Sequence, residues 1–174
     1  MPSVRLQPKA IASIEAAVTA AGADAERFIP DHVATVKAKV AEFKTAFEQG
    51  DDKSIITNAP ALLSEAQGLA GMVAAKKEEF LGALQGEWIS LAADLPNAVA
   101  SLQGRVDSLS KMRRLPKGID KAAVESAGTG LTEARSMWDE ATAAFGAGSI
   151  EDAVAKAKSV KTKLDEIQAA IGTG

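Results

Sequence analysis

Few side chains in this sequence could make or break bonds, and each has a plainer physical reading. There is one histidine, His32, beside Asp31, and no cysteine. A Ser-His-Asp triad would have to use that single imidazole, and a helical di-metal site needs Glu-x-x-His pairs that are absent. His32 therefore reads as a surface residue of a first helical turn. Carboxylates occur side by side as Asp51 with Asp52, Asp139 with Glu140, and Glu151 with Asp152. Neighbours on a helix point about 100° apart and do not converge. Two of the pairs also fall at expected helix N-termini, where the backbone dipole favours negative charge. The glycines of "SAGTGL", Ser126 to Leu131, suggest a phosphate loop only superficially, since no strand precedes them, no lysine follows and the spacing differs. They read as a weak point in a helix. Trp88 and Trp138 lie on apolar stripes and read as core packing instead of a ligand cage. No catalytic, cofactor-binding or metal-ligating residue is assigned, no cofactor is called for, and the expectation is a non-enzyme.

One cluster is left over. "KMRRLPKGID" brings together Lys111, Arg113, Arg114 and Lys117 with no balancing acid among them. A helix C-terminus favours cations, which explains part of the cluster. Arg113 and Arg114 are consecutive, however, and one helix end hardly needs both. The alternative reading is an anion or partner contact, to a lipid head group or an acidic protein face. Four charges without interleaved aromatics fall short of a nucleic-acid surface, and the net charge of -3 points the same way.

The elements that must position these residues follow from composition and spacing. At 174 residues, 47% of them hydrophobic and 25% charged, the chain can bury a sizeable core. No run reaches the roughly 18 to 20 apolar residues of a spanning helix, and Met1 to Gln7 has no apolar stretch of the export-signal kind. The lack of cysteine leaves the redox compartment open. Alanine is abundant and tyrosine absent, which favours helix over sheet.

Apolar residues recur three and four apart throughout, as in helices packed along their length. The stripes are Ile11, Ile14, Val18, Ala21, Ala25, Phe28; then Val33, Val36, Val40, Phe43, Phe47; then Ile55, Ala59, Leu62, Ala66, Leu69, Val73. Lys76, Lys77, Glu78 and Glu79 interrupt, and the pattern resumes as Leu81, Leu84, Trp88, Leu91, Leu95. Further stripes follow from Val99 to Leu109, from Val124 to Phe145 and from Ile150 to Ile171. Pro30, Pro60 and Pro96 read as fresh starts or kinks, because proline removes a helical N–H. Gly50 and Gly148 read as helix closures, with Asp51 or Asp52 and then Ser149 as caps and Asp152 completing a capping box. The predicted fold is all-α: an elongated antiparallel bundle of about six helical segments with coiled-coil-like packing. It forms a single domain over 1–174, with turns near Ile29, Gly50, Leu95, Lys117 and Gly148. Setting Phe47 on Phe145 aligns "AFEQGDD" with "AFGAGSI", an internal echo of helical hairpins 33–73 and 131–171.

"AGADAERFIPDHV" followed by "AFEQGDD" resembles the small alanine-rich helical bacterial envelope lipoproteins of unknown function. Their pattern runs Ala-Gly-Ala, then Tyr-Ala-Pro-Glu, an alanine-rich helix, and Gly-Asp-Tyr before a second such helix. Phe28, Ile29, Pro30 and Asp31 stand at the Tyr-Ala-Pro-Glu positions, and Gly50 with Asp51 at the Gly-Asp turn. The resemblance covers about residues 20–70. It implies a periplasmic or outer-membrane-associated, non-enzymatic protein whose partner is another envelope protein, with a peripheral tether in the full-length protein. It carries no catalytic residues. The competing expectation is a carrier of a small hydrophobic ligand, with Gly68, Gly71, Gly82 and Gly86 leaving space between helices.

Overall fold

The computed structural model describes residues 6–172, with side chains from residue 8 onward, so the expectation for Met1 to Gln7 lies outside the described side chains. Among the described residues there are five helices and no strand: α1 Leu6–Phe28, α2 Pro30–Glu48, α3 Asp52–Lys111, α4 Lys121–Gly146 and α5 Ile150–Ile171. The predicted all-α bundle packing is what the chain adopts.

Two compact units divide the chain, Met1–Phe80 and Leu81–Gly174, and each has its own apolar core. The first contains α1, α2 and the opening half of α3. Its core is built from the predicted stripes, including Ile14, Val36, Ile55 and Leu69. The second contains the rest of α3 with α4 and α5, centred on Leu109, Leu131, Val160 and Ile171. The division falls at the charged run Lys76 to Glu79, where the apolar pattern lapses.

Five helices replace the six expected segments because α3 runs unbroken through Pro96; it is also continuous at Pro60, read from the sequence as a fresh start or kink. A proline inside a helix costs about 3 kcal/mol. Burying an aliphatic side chain gains about 1.5 to 3 kcal/mol, and each proline is bracketed by several that must stay in line. Ala59, Leu62 and Leu69 are buried around the first, and Leu95, Val99 and Leu102 around the second. Both prolines lie on the exposed face, where water reaches the carbonyls they leave unpaired. Nearby, Asn58 donates to the Ser54 carbonyl and Asn97 to the Ala93 carbonyl, each at 2.9 Å. The expected turn near Leu95 is therefore absent.

Other departures are local. Gly22 (φ 69°, ψ -169°) leaves helical geometry within α1, a break that no stripe announced. Phe47 and Leu81 were placed on stripes but are exposed; one lies at the end of α2 and the other beside the unit division. Trp88 is buried and its ring lies parallel to those of Trp138 and Phe145, at centroid distances of 5.3 and 4.6 Å. Trp138 and Phe145 are seven residues apart on α4, a rise of about 10.5 Å. That is close to two stacking intervals, so the Trp88 ring fills the gap between them. Trp138, on the outside of this stack, is half-buried.

Candidate functional site

Residues 112–120, between α3 and α4, form the longest connection among the described helices. Leu115 and Ile119 pack against the core of the second unit and pin the loop to it. The Ile119 N–H donates to the Pro116 carbonyl at 3.1 Å, closing a tight turn whose third residue needs positive φ; Gly118 supplies it at 91°. Asp120 then caps α4, its carboxylate accepting from the Ala123 N–H at 2.7 Å.

The predicted Lys111, Arg113, Arg114 and Lys117 are brought together on this loop, and all four are exposed. Two neighbours that the sequence reading passed over complete the surface. Met112, set among the cations, is 45% exposed. Lys121 is exposed in the first turn of α4, so residues 111–121 hold five cations and one acid. The helix dipole accounts for Lys111 in the last turn of α3. It does not account for Arg113 and Arg114 beyond that end, and it opposes a cation at the start of α4. The signal for Lys121 was present in the spacing, but the motif was read only as far as Lys117.

Nine lysines elsewhere on the helices are paired, although exposed Lys9 and Lys53 are in no ion pair among the described residues. Within the first unit, Lys37 pairs with Glu26, Lys39 with Glu65 and Lys77 with Asp24; within the second, Lys156 pairs with Glu140, Lys158 with Glu87 and Lys163 with Glu133. Hydrogen bonding to Lys37 holds the Glu26 carboxyl below the usual range, and Lys76 does the same for Glu79. Glu140 and Glu133 raise Lys156 and Lys163 in turn, again chiefly through hydrogen bonds. Among the described residues no ion pair involves any of the five loop cations. All five are exposed to solvent.

The remaining sequence candidates fall where their plain readings put them, with three exceptions. His32 is exposed in the first turn of α2, and the Asp51 carboxylate accepts from the Ser54 N–H at 3.2 Å. Ser149 occupies the cap position of α5 without a side-chain cap hydrogen bond, so the expected capping box is not formed. "SAGTGL" is no weak point: α4 is continuous there, and Gly130 is buried against α5, where a Cβ would sit 3.1 Å from Ile167 Cδ1. Gly68, Gly71, Gly82 and Gly86 are exposed and line no internal space. The second unit has instead a groove of about 400 Å³ with Leu91, Leu95 and Leu164 on its wall and Asp94, Arg105 and Lys161 beside them. Among the described residues no three His, Asp or Glu side chains are placed to share a metal ion, and no helix is long and apolar enough to cross a membrane. No known protein family, curated protein or solved structure matches this chain.

Proposed function

We propose that the chain is a non-enzymatic structural or protein-interaction module of the bacterial cell envelope, periplasmic or outer-membrane-associated, making its contact through the loop between α3 and α4. The observation that carries this reading is the concentration of charge: residues 111–121 hold five exposed cations and one acid, and among the described residues none of the five is in an ion pair, whereas nine lysines elsewhere on the helices meet acids of the same unit. Exposed charge presented together on a pinned loop favours steering and orienting a partner. A photo-crosslinking residue in place of Met112, introduced in the producing bacterium, should yield adducts in the envelope fraction, while the same residue in place of exposed Ile56 should not. Adducts confined to soluble cytoplasmic components, or equal at both positions, would reject the reading.

A second reading, a carrier of a small hydrophobic ligand, is supported by the groove along Leu91, Leu95 and Leu164. Native mass spectrometry checks it, since a co-purifying apolar compound is expected of a carrier and a clean mass is not.

A further inference from the structure

We infer that the partner of the α3–α4 loop is the surface of an anionic lipid bilayer, with Lys111, Arg113, Arg114, Lys117 and Lys121 among the head groups and Met112 at the acyl boundary. This rests on the loop being the contact. Three features of the loop select a bilayer over an acidic protein face.

The first is an exposed apolar residue at the start of the loop. Met112 is a large apolar side chain, 45% exposed, with Lys111 and Arg113 on either side of it in the sequence; Ile56 and Ile89 are more exposed but have no such cations beside them. An apolar group flanked by cations suits the boundary between head groups and acyl chains, where its stem leaves water while the charges stay with phosphate. The second is the absence of fixed geometry. The loop cations make no ion pair among the described residues, so no guanidinium is held in the orientation that bidentate recognition of a protein carboxylate uses. A lipid surface asks only for positive charge near it. The third is polarity on the scale of the whole molecule. The net charge is -3, yet residues 111–121 hold five cations and one acid, so an anionic plane attracts this loop and repels the rest. The anchors Leu115 and Ile119 and the Gly118 turn hold the loop to the core of the second unit, so orienting the loop orients that unit.

Co-sedimentation of the full chain with vesicles of about one-third phosphatidylglycerol in phosphatidylcholine tests the inference. Binding is expected at low salt, weakening as added salt shortens the screening length, and is absent on pure phosphatidylcholine. Each basic residue near an anionic surface contributes roughly a fivefold factor, so Arg113→Gln with Arg114→Gln should lower partition by about twentyfold. The charge-preserving pair Arg113→Lys and Arg114→Lys should keep most of the binding lost in the glutamine pair, because the long-range attraction to an anionic surface depends on charge. Met112→Ser should lower partition by about threefold with charge unchanged. All of these side chains are exposed, so the helical circular dichroism should be the same in every variant. Several results would overturn the inference: no binding to the anionic vesicles, binding unaffected by the glutamine pair, or loss of binding in the lysine pair. So would capture of the chain by immobilised polyglutamate but not by vesicles. Retention on envelope membranes that still carry their proteins, with none on protein-free vesicles, would overturn the lipid assignment alone. Failure on both would remove the contact loop as well.

Discussion

In both units the second helix passes into the third through the same turn. At the end of α2, the Asp51 N–H bonds to the Ala46 carbonyl and the Gly50 N–H to that of Phe47; after α4, Ser149 bonds to Ala144 and Gly148 to Phe145. Gly50 and Gly148 sit at φ 75° and 84°, the left-handed geometry this closure requires. The first connections have nothing in common. α1 reaches α2 through buried Ile29 alone, with Pro30 starting the new helix, whereas α3 reaches α4 through the exposed basic loop 112–120. The shared turn builds a hairpin in each unit, and the differing connection is short and buried in the first unit but long, exposed and basic in the second.

The largest expected difference lies beside those two matching turns. Trp88→Ala removes the ring between Trp138 and Phe145 and should cost about 3 to 5 kcal/mol in chemical denaturation. Trp138→Ala, at the half-buried outside of the stack, should cost less. Phe47→Ala, at the equivalent turn of the first unit, removes an exposed ring and should cost under about 1 kcal/mol. Equal losses at Trp88 and Phe47 would mean that the two turns are not packed differently.

Helix contact comes next. Every glycine of the first unit has room for a Cβ, whereas Gly130 faces Ile167. Gly130→Leu should overpack the second unit by about 1 to 3 kcal/mol. Gly68→Leu, made for comparison, should change the melting of the chain little.

The turns themselves should respond alike. Gly50→Ala and Gly148→Ala each force a Cβ into left-handed geometry and should each cost about 1 to 2 kcal/mol. A large disparity in denaturation midpoints would break the equivalence of the two hairpins.

The smallest effect is in pH, and its sign differs between the units. Glu26 and Glu79 have folded values below the ordinary carboxylate range, so their contribution is in place above it and disappears as pH falls through the lowered values. Lys156 and Lys163 are raised, so theirs is in place below the ordinary lysine range and disappears as pH rises through the raised values. Both tryptophans belong to the second unit, so fluorescence melting reports on it alone. Relative to circular dichroism melting of the whole chain, the fluorescence midpoint should hold better toward acid and worse toward alkali, with small shifts because every pair is at least partly open to solvent.

The helix faces, the glycine closures and the Asp51 cap were legible because each depends on residues within a few positions of one another. So was the "KMRRLPKGID" loop. Continuation through Pro60 and Pro96 was not, because local propensity opposes it and the opposing gain comes from burial against distant helices. Gly130 and "SAGTGL" were misread for the same reason: the need for glycine is imposed by Ile167, far along the chain. Ion pairs such as Lys77 with Asp24 depend on helix register, which spacing within one helix does not supply. The role of Lys121 became visible only once the start of α4 was placed.

The direct test is a double dissociation between the two kinds of cation. One variant changes Lys111, Arg113, Arg114 and Lys117 to Gln; the other changes the paired Lys37, Lys39, Lys44 and Lys77 to Gln, removing the same charge from the first unit. Binding to isolated envelope membranes at low salt and the melting temperature are measured for both. The expected result is that the loop variant loses membrane binding and keeps its melting temperature, while the other keeps binding and melts slightly lower. Equal binding by the two variants would contradict the assignment of the contact to the α3–α4 loop.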